Sequence, residues 1–150
     1  MTGSKKIIAV IGGRNCTESQ YQIAREVGRL IAENDAILVC GGRTGIMEAA
    51  CRGAAEAGGI SIGILPGDDK RDANEWVTVP ITTGIGLARN AVIIRSASAA
   101  IAISGSYGTL SEIAYCKQFG VPVYGIQSWD IDGLPNIETP EEAVRLALQE

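Results

Sequence analysis

Short apolar runs rich in Ile and Val recur along the chain at Ile7–Ile11, Ala36–Cys40, Ile60–Leu65, Ala99–Ile103 and Val121–Ile126. Each is nearly continuous in hydrophobicity rather than alternating, the pattern of parallel strands covered on both faces. Segments of helical length and mixed polarity separate most of them. Thr17 with Gln20 forms a capping-box signature that opens a helix towards Asn34, with Val27, Leu30 and Ile31 on its apolar stripe. A second helix is predicted from about Ile46 to Ala57, stopped by Gly58-Gly59. A third spans about Ile85 to Ser98, and a fourth runs from Tyr107 to Phe119 ahead of Gly120. The last opens at Thr139-Pro140-Glu141-Glu142, which supplies a cap residue, Pro at the first helical position and an acidic first turn.

Strands alternating with helices specify an α/β fold: a single-domain, Rossmann-like, doubly wound parallel sheet with helices on both faces, over residues 1–150. Met1 to Ser4 read as a disordered tail. If the five runs are ordered third, second, first, fourth, fifth, the order reverses between the strands ending at Ile11 and Ile103. Ligands of such sheets sit in that crevice, beyond the carboxyl ends of the strands. The Gly12-Gly13-Arg14-Asn15 and Ser104–Gly108 loops would then face each other across it. Pro66–Glu75, charged through Asp68, Asp69, Lys70, Arg71 and Asp72, reads as a solvated connection before it reads as a lid.

At 150 residues and 46% apolar composition, one core suffices, because a chain of this size buries roughly 70% of its unfolded surface. A net charge of −4 with no run of Lys or Arg weighs against nucleic acid and membrane surfaces as partners. No segment is long enough to span a bilayer, and the apolar run after Lys5-Lys6 breaks at Gly12, too soon for a signal-peptide core. A cytoplasmic location is expected. Cys16, Cys40, Cys51 and Cys116 show no C-x-x-C pairing and read as buried reduced thiols. The chain has no histidine, which removes Ser-His-Asp and Cys-His nucleophiles and His-based zinc sites. No metal site of the protein's own is expected.

The stretch Ser104-Gly105-Ser106-Tyr107-Gly108-Thr109-Leu110-Ser111-Glu112 carries the most chemistry. A buried strand that empties through small residues into a helix start aims free N–H groups and a positive dipole end at one spot, which suits a phosphate. Thr109 and Glu112 also match a capping box, so Glu112 reads equally as a cap partner and as a ligand group. Gly41-Gly42-Arg43-Thr44-Gly45 after the second strand allows close backbone approach to an anion. It is neither a dinucleotide fingerprint nor a P-loop. Arg14 and Arg43 sit directly on ligand loops. Arg89, a single Arg on an amphipathic helix, reads first as a surface charge, although a guanidinium there suits bidentate phosphate contact. Ile46, Met47 and Ala50 read as core-facing.

At these residues the chain resembles the LONELY GUY family, of the superfamily long labelled "possible lysine decarboxylases". Its motif G-G-x-x-G-x-M-x-A-x-x-x-G-A is matched by Gly41, Gly42, Gly45, Met47, Ala49, Gly53 and Ala54. Its P-G-G-x-G-T-x-x-E is matched at Gly105, Gly108, Thr109 and Glu112, with Ser104 for the proline and Ser106 for the middle glycine. The resemblance implies a phosphoribohydrolase that cleaves the N-glycosidic bond of nucleoside 5′-monophosphates, with Arg89 and Glu112 catalytic. The family has Arg-Lys where this chain has Arg89-Asn90. The run Ala73–Pro80, followed by Gly84–Asn90 and Ser104–Glu112, is similar to the short branch containing molybdenum cofactor carrier proteins. That likeness implies a binding protein for molybdopterin or a related phosphorylated pterin. The ligand would be held by Gly12, Gly13, Arg14, Gly41, Gly42, Arg43, Thr44, Gly45, Arg89 and the residues Ser104, Gly105, Ser106, Tyr107, Gly108, Thr109 and Glu112. It further implies a homo-oligomer, a dimer or tetramer, and molybdoenzymes as recipients of the cofactor.

Overall fold

The computed structural model describes residues 4–150, so the expected tail lies, apart from Ser4, outside the described residues. Six parallel strands, β1 (Ile7–Gly12), β2 (Ile37–Cys40), β3 (Ser61–Leu65), β4 (Val79–Thr82), β5 (Ala99–Ile103) and β6 (Val123–Ile126), form one sheet in the order β4-β3-β2-β1-β5-β6. The five strands read from the apolar runs take the expected order, with the reversal at β1 and β5. β4 is an addition: it lies inside a segment with no continuous apolar run, and Pro80 within it suits only an edge position.

The helices are α1 (Glu18–Glu33), α2 (Ile46–Glu56), α3 (Arg89–Arg95), α4 (Tyr107–Phe119) and α5 (Pro140–Leu148). α1 begins at Thr17 with both halves of the capping box formed. α5 is capped by Thr139 with Pro140 in its first turn. The third helix is shorter than its sequence pattern suggests. A 3-10 turn at Gly86–Ala88 precedes it, and α3 proper starts at Arg89. α1, α2 and α5 pack Val27, Ile31, Ala50 and Val144 against Ile8, Val10, Leu38 and Ile101 on one face of the sheet. α3 and α4 pack Ile93, Ile94 and Ile113 against Ala9, Ile11, Ala100 and Ala102 on the other. Cys40, Cys51 and Cys116 are buried free thiols, while Cys16 is only half-buried, which corrects its reading as core.

The tightest packing lies between α1 and α2. A Cβ added at Gly28 would sit 1.9 Å from the Ala50 carbonyl oxygen, and one at Gly53 would sit 1.8 Å from that of Arg25. The helix backbones are therefore in direct contact, and Gly53 of the sequence motif serves the helix crossing. Because α2 begins where the Gly41–Gly45 loop ends, this crossing also sets the height of that loop above the sheet.

Alanine is the better helix former by about 1 kcal/mol, yet the clash outweighs that gain. Gly28→Ala and Gly53→Ala are each expected to lower stability by about 2 kcal/mol or more, measured by urea unfolding. A midpoint unchanged or raised would show that the two helices can separate at no cost.

Candidate functional site

A cleft of about 80 Å³ opens beyond the carboxyl ends of the strands and is lined by Gly12, Arg14, Gly41, Arg89, Ser106 and Glu112, among others. It lies beyond the carboxyl ends of the neighbouring strands β1 and β5, the place the strand order selects. Arg89 and Glu112, drawn from α3 and α4, are its chemical centre.

Arg89 is not the surface charge that a lone helix Arg suggests; it is only 5% exposed. The 3-10 turn delivers it inward at the first residue of α3. Its Nε donates to the Ile64 carbonyl at 2.9 Å, Nη2 donates to the Gly41 carbonyl at 3.5 Å, and Nη1 donates to Asn90 Oδ1. Asn90 in turn donates through Nδ2 to Ser111 Oγ at 3.2 Å, and Ser111 Oγ donates to the Gly108 carbonyl at 2.7 Å. The guanidinium is thus tied to two strand ends and to the start of α4. Gly41 must lack a side chain, because its Cβ would lie 2.7 Å from Arg89 Nη2 and 2.8 Å from Met47 Sδ.

Glu112 lies one turn into α4, 8% exposed. It is not a cap partner. The cap is Ser106, whose hydroxyl accepts from the Thr109 N–H at 3.4 Å, so Thr109 sits inside the helix rather than at its start. Burial pushes the Glu112 carboxyl up to about 8, against the opposing pull of the Arg89 charge. At neutral pH the cleft therefore holds a neutral carboxyl beside a permanent cation. Burial disfavours the Arg89 charge too, and Arg14 and Arg43 add like charge to it.

The remaining residues expected on the ligand divide into groups. Gly12, Arg14, Gly41, Ser106, Gly108 and Thr109 line the cleft with Arg89 and Glu112. Gly13 and Thr44 instead fasten the loops together: Ile46 N donates to the Gly13 carbonyl at 3.0 Å and Thr44 Oγ1 donates to the Arg14 carbonyl at 3.2 Å. Gly42 and Gly45, both with positive φ, shape that turn. Arg43 is held by Asp72, whose carbonyl accepts from Nη1 at 3.1 Å. Asn74 donates to the carbonyls of Gly42 and Arg43, so the Pro66–Glu75 loop is fastened to the glycine loop and is neither a free lid nor a simple solvated link. Ser104 and Gly105 face a separate cavity, and Tyr107 lines neither cavity and is 84% exposed. Ser104 adopts φ 57°, a left-handed conformation that proline, fixed near about −65°, cannot take.

Met47, Leu87 and Asn90 also line the cleft, a role not read for them from sequence. Asn90 was visible as the neighbour of Arg89. Met47 read as core, and it is 6% exposed while still touching the cleft. Leu87, 72% exposed, had no periodic signal to mark it.

Fold and cleft together define a Rossmann-like protein with an arginine-centred cleft at the switch point of its sheet. The chain belongs to the SLOG cluster4 family, which matches residues 5–149. It is 43% identical over 143 residues to an uncharacterized protein of Archaeoglobus fulgidus, covering 94% of this chain and 93% of that one. Among solved structures it is similar to the molybdenum cofactor binding protein of Rippkaea orientalis (TM-score 0.92, 32% identity, 99% of this chain and 98% of that one). It is also similar to the molybdenum cofactor carrier protein of Chlamydomonas reinhardtii (TM-score 0.89, 31% identity, 97% and 98%).

Between about pH 4.5 and pH 8 the folded chain holds more proton on Glu112 than the unfolded chain does. Stability contributed by this residue is therefore greatest at the acid end, falls as pH rises across that window and levels above it. Glu112→Gln, neutral throughout, is expected to remove that fall, amounting to a few kcal/mol, in urea unfolding series across the window. An identical pH dependence in the variant would show that Glu112 is ionised in the folded chain.

Proposed function

We propose that the protein binds the molybdenum cofactor, or a phosphorylated pterin of that kind, and acts as a carrier or store for it. The observation that carries this reading is the make-up of the cleft. Arg89 and Arg14 present positive charge, Gly108 and Thr109 lie in the first turn of α4, and the one carboxyl in the lining is held neutral. Such a lining favours a terminal phosphate and lacks the carboxylate that stabilises an oxocarbenium-like state. Three of the five N–H groups of Arg89 have protein acceptors, which leaves the others for the ligand. The likeness to molybdenum cofactor proteins over nearly the whole chain supports the same reading.

A second reading, a phosphoribohydrolase acting on nucleoside 5′-monophosphates, draws on Arg89 and Glu112 sharing one cleft. In that case Arg89 would hold the phosphate, and protonated Glu112 would serve the leaving base. The readings separate in one experiment. Purified protein is expected to retain a pterin that fluoresces on oxidative release and to liberate no free base from AMP or cytokinin monophosphates. Robust base release abolished by Glu112→Gln would establish the hydrolase and overturn the carrier.

A homo-oligomer forms part of the proposal. No charged residue occurs from Val77 to Ala88, yet Val79, Ile81, Ile85 and Leu87 on that stretch are 41%, 42%, 52% and 72% exposed, beside Val92 on α3. An apolar face of this kind, with Leu87 at the mouth of the cleft, suits a second copy of the chain. Light scattering after size exclusion is expected to give a dimer or tetramer, and Leu87→Glu a lower mass. A monomeric wild type at working concentration would remove this part.

A further inference from the structure

Beyond the carboxyl ends of β5 and β6, on the far side of the Ser104–Tyr107 loop from the arginine cleft, lies a second cavity of about 350 Å³ lined by Ser104, Gly105, Gln127, Ser128, Trp129 and Asp130. Four observations set it apart from an ordinary surface depression. Ser104 and Gln127, which follow the two adjacent strands, both hold positive φ, 57° and 51°. Strain of this sort in non-glycine residues persists where the surroundings impose it, and it gathers at functional sites. Ser128 Oγ is buried and has no hydrogen-bond partner among the described residues, a vacancy that buried hydroxyls seldom show.

The aromatic groups are the third observation. Trp129 rests against Gly105, whose Cβ would lie 2.6 Å from the indole nitrogen, and its N–H donates to the Ser106 carbonyl at 3.2 Å. Tyr107 leans on Trp129, ring centroids 6.1 Å apart at 34°, and is otherwise 84% exposed. The fourth is rigidity. Asn136 Oδ1 accepts from Ser128 N–H at 2.8 Å and its Nδ2 donates to the Trp129 carbonyl at 3.1 Å, which fixes the turn that carries the indole. An exposed tyrosine braced by a fixed tryptophan offers a ring face at little ordering cost.

One loop contributes to both cavities. Ser106 and Gly108 line the arginine cleft, Ser104 and Gly105 line the second cavity, and Tyr107, between them in sequence, has its ring centroid 6.1 Å from that of Trp129. We propose that the second cavity is a ring subsite: it takes the planar heteroaromatic part of the molecule whose phosphate sits against Arg89, stacked on Tyr107 and Trp129. Asp130 and Gln127 meet the polar edge of that ring. A 2-amino-4-oxo pyrimidine edge, as in a pterin, presents adjacent N–H donors that one carboxylate accepts together, and an amide beside it serves the ring oxygen. The inference rests on the phosphorylated-pterin reading above and adds where the pterin goes.

The test uses the full chain and two probes, a pterin bearing a phosphate on its C6 side chain and ribose 5-phosphate, which has the phosphate without the ring. Tyr107→Ala removes an exposed side chain and leaves the core untouched. It and Asp130→Asn are each expected to weaken the pterin phosphate about tenfold, the scale of one stacked base and of one hydrogen bond to a charged group, and to leave ribose 5-phosphate unchanged in calorimetry. In a Trp76→Phe background, the pterin phosphate is expected to quench Trp129 emission and ribose 5-phosphate is not. Undiminished pterin phosphate affinity in both variants without quenching, while Arg89→Met abolishes binding, would overturn the ring subsite and leave the anion cleft standing. Equal losses for both probes would also overturn it, because Tyr107 would then act on the phosphate. If neither probe binds the wild type, the pterin phosphate reading itself fails and takes the subsite with it.

Discussion

A guanidinium that cannot lose its proton has been placed where water barely reaches it, and much of the site's construction answers that one fact. Arg89 is 5% exposed, and its charge is met by two backbone carbonyls, one amide oxygen and a carboxyl held mostly neutral. Dipoles of this kind satisfy hydrogen bonds without supplying a full opposing charge. The surplus falls into the cleft. An anion arriving there would supply what the fold withholds, and a phosphate would do so with oxygens to spare for the amides of α4.

Several separate parts of the chain have to agree before Arg89 can sit there. β2 and β3 must end with carbonyls at the right height, Gly41 must carry no side chain, and a 3-10 turn must turn the chain inward just before α3. The contact between Gly28 and Ala50, and that between Gly53 and Arg25, hold α2 and its leading loop at a fixed level. Asn74 secures the same loop from the other side. Strand ends and helix starts bound most of the cleft.

The architecture was legible because its signals are local: continuous apolar runs, caps at Thr17 and Thr139, and glycine stops at Gly58 and Gly120. β4 was not legible, since a four-residue edge strand with a proline carries neither a buried run nor a clean alternation. For the site, the loops were readable and the depth of individual side chains was not. Arg89 looks like any Arg on a short helix until the sheet supplies carbonyls from residues 41 and 64. Glu112 matched a capping box with Thr109, and only the three-dimensional path showed Ser106 taking the cap and releasing the carboxyl inward. Asn90 owes its place to contacts with Arg89 and Ser111, and Leu87 to the 3-10 turn before α3, neither of which a spacing rule encodes.

The left-handed backbone at Ser104 also limits which loops this scaffold can accept. Chains with proline at that place are confined to a different φ, so the two loop forms cannot be exchanged by altering one residue without carrying a strained intermediate of about 1 kcal/mol or more. Transplanting a proline-containing loop into this scaffold would have to move the whole segment, including the indole that leans on Gly105.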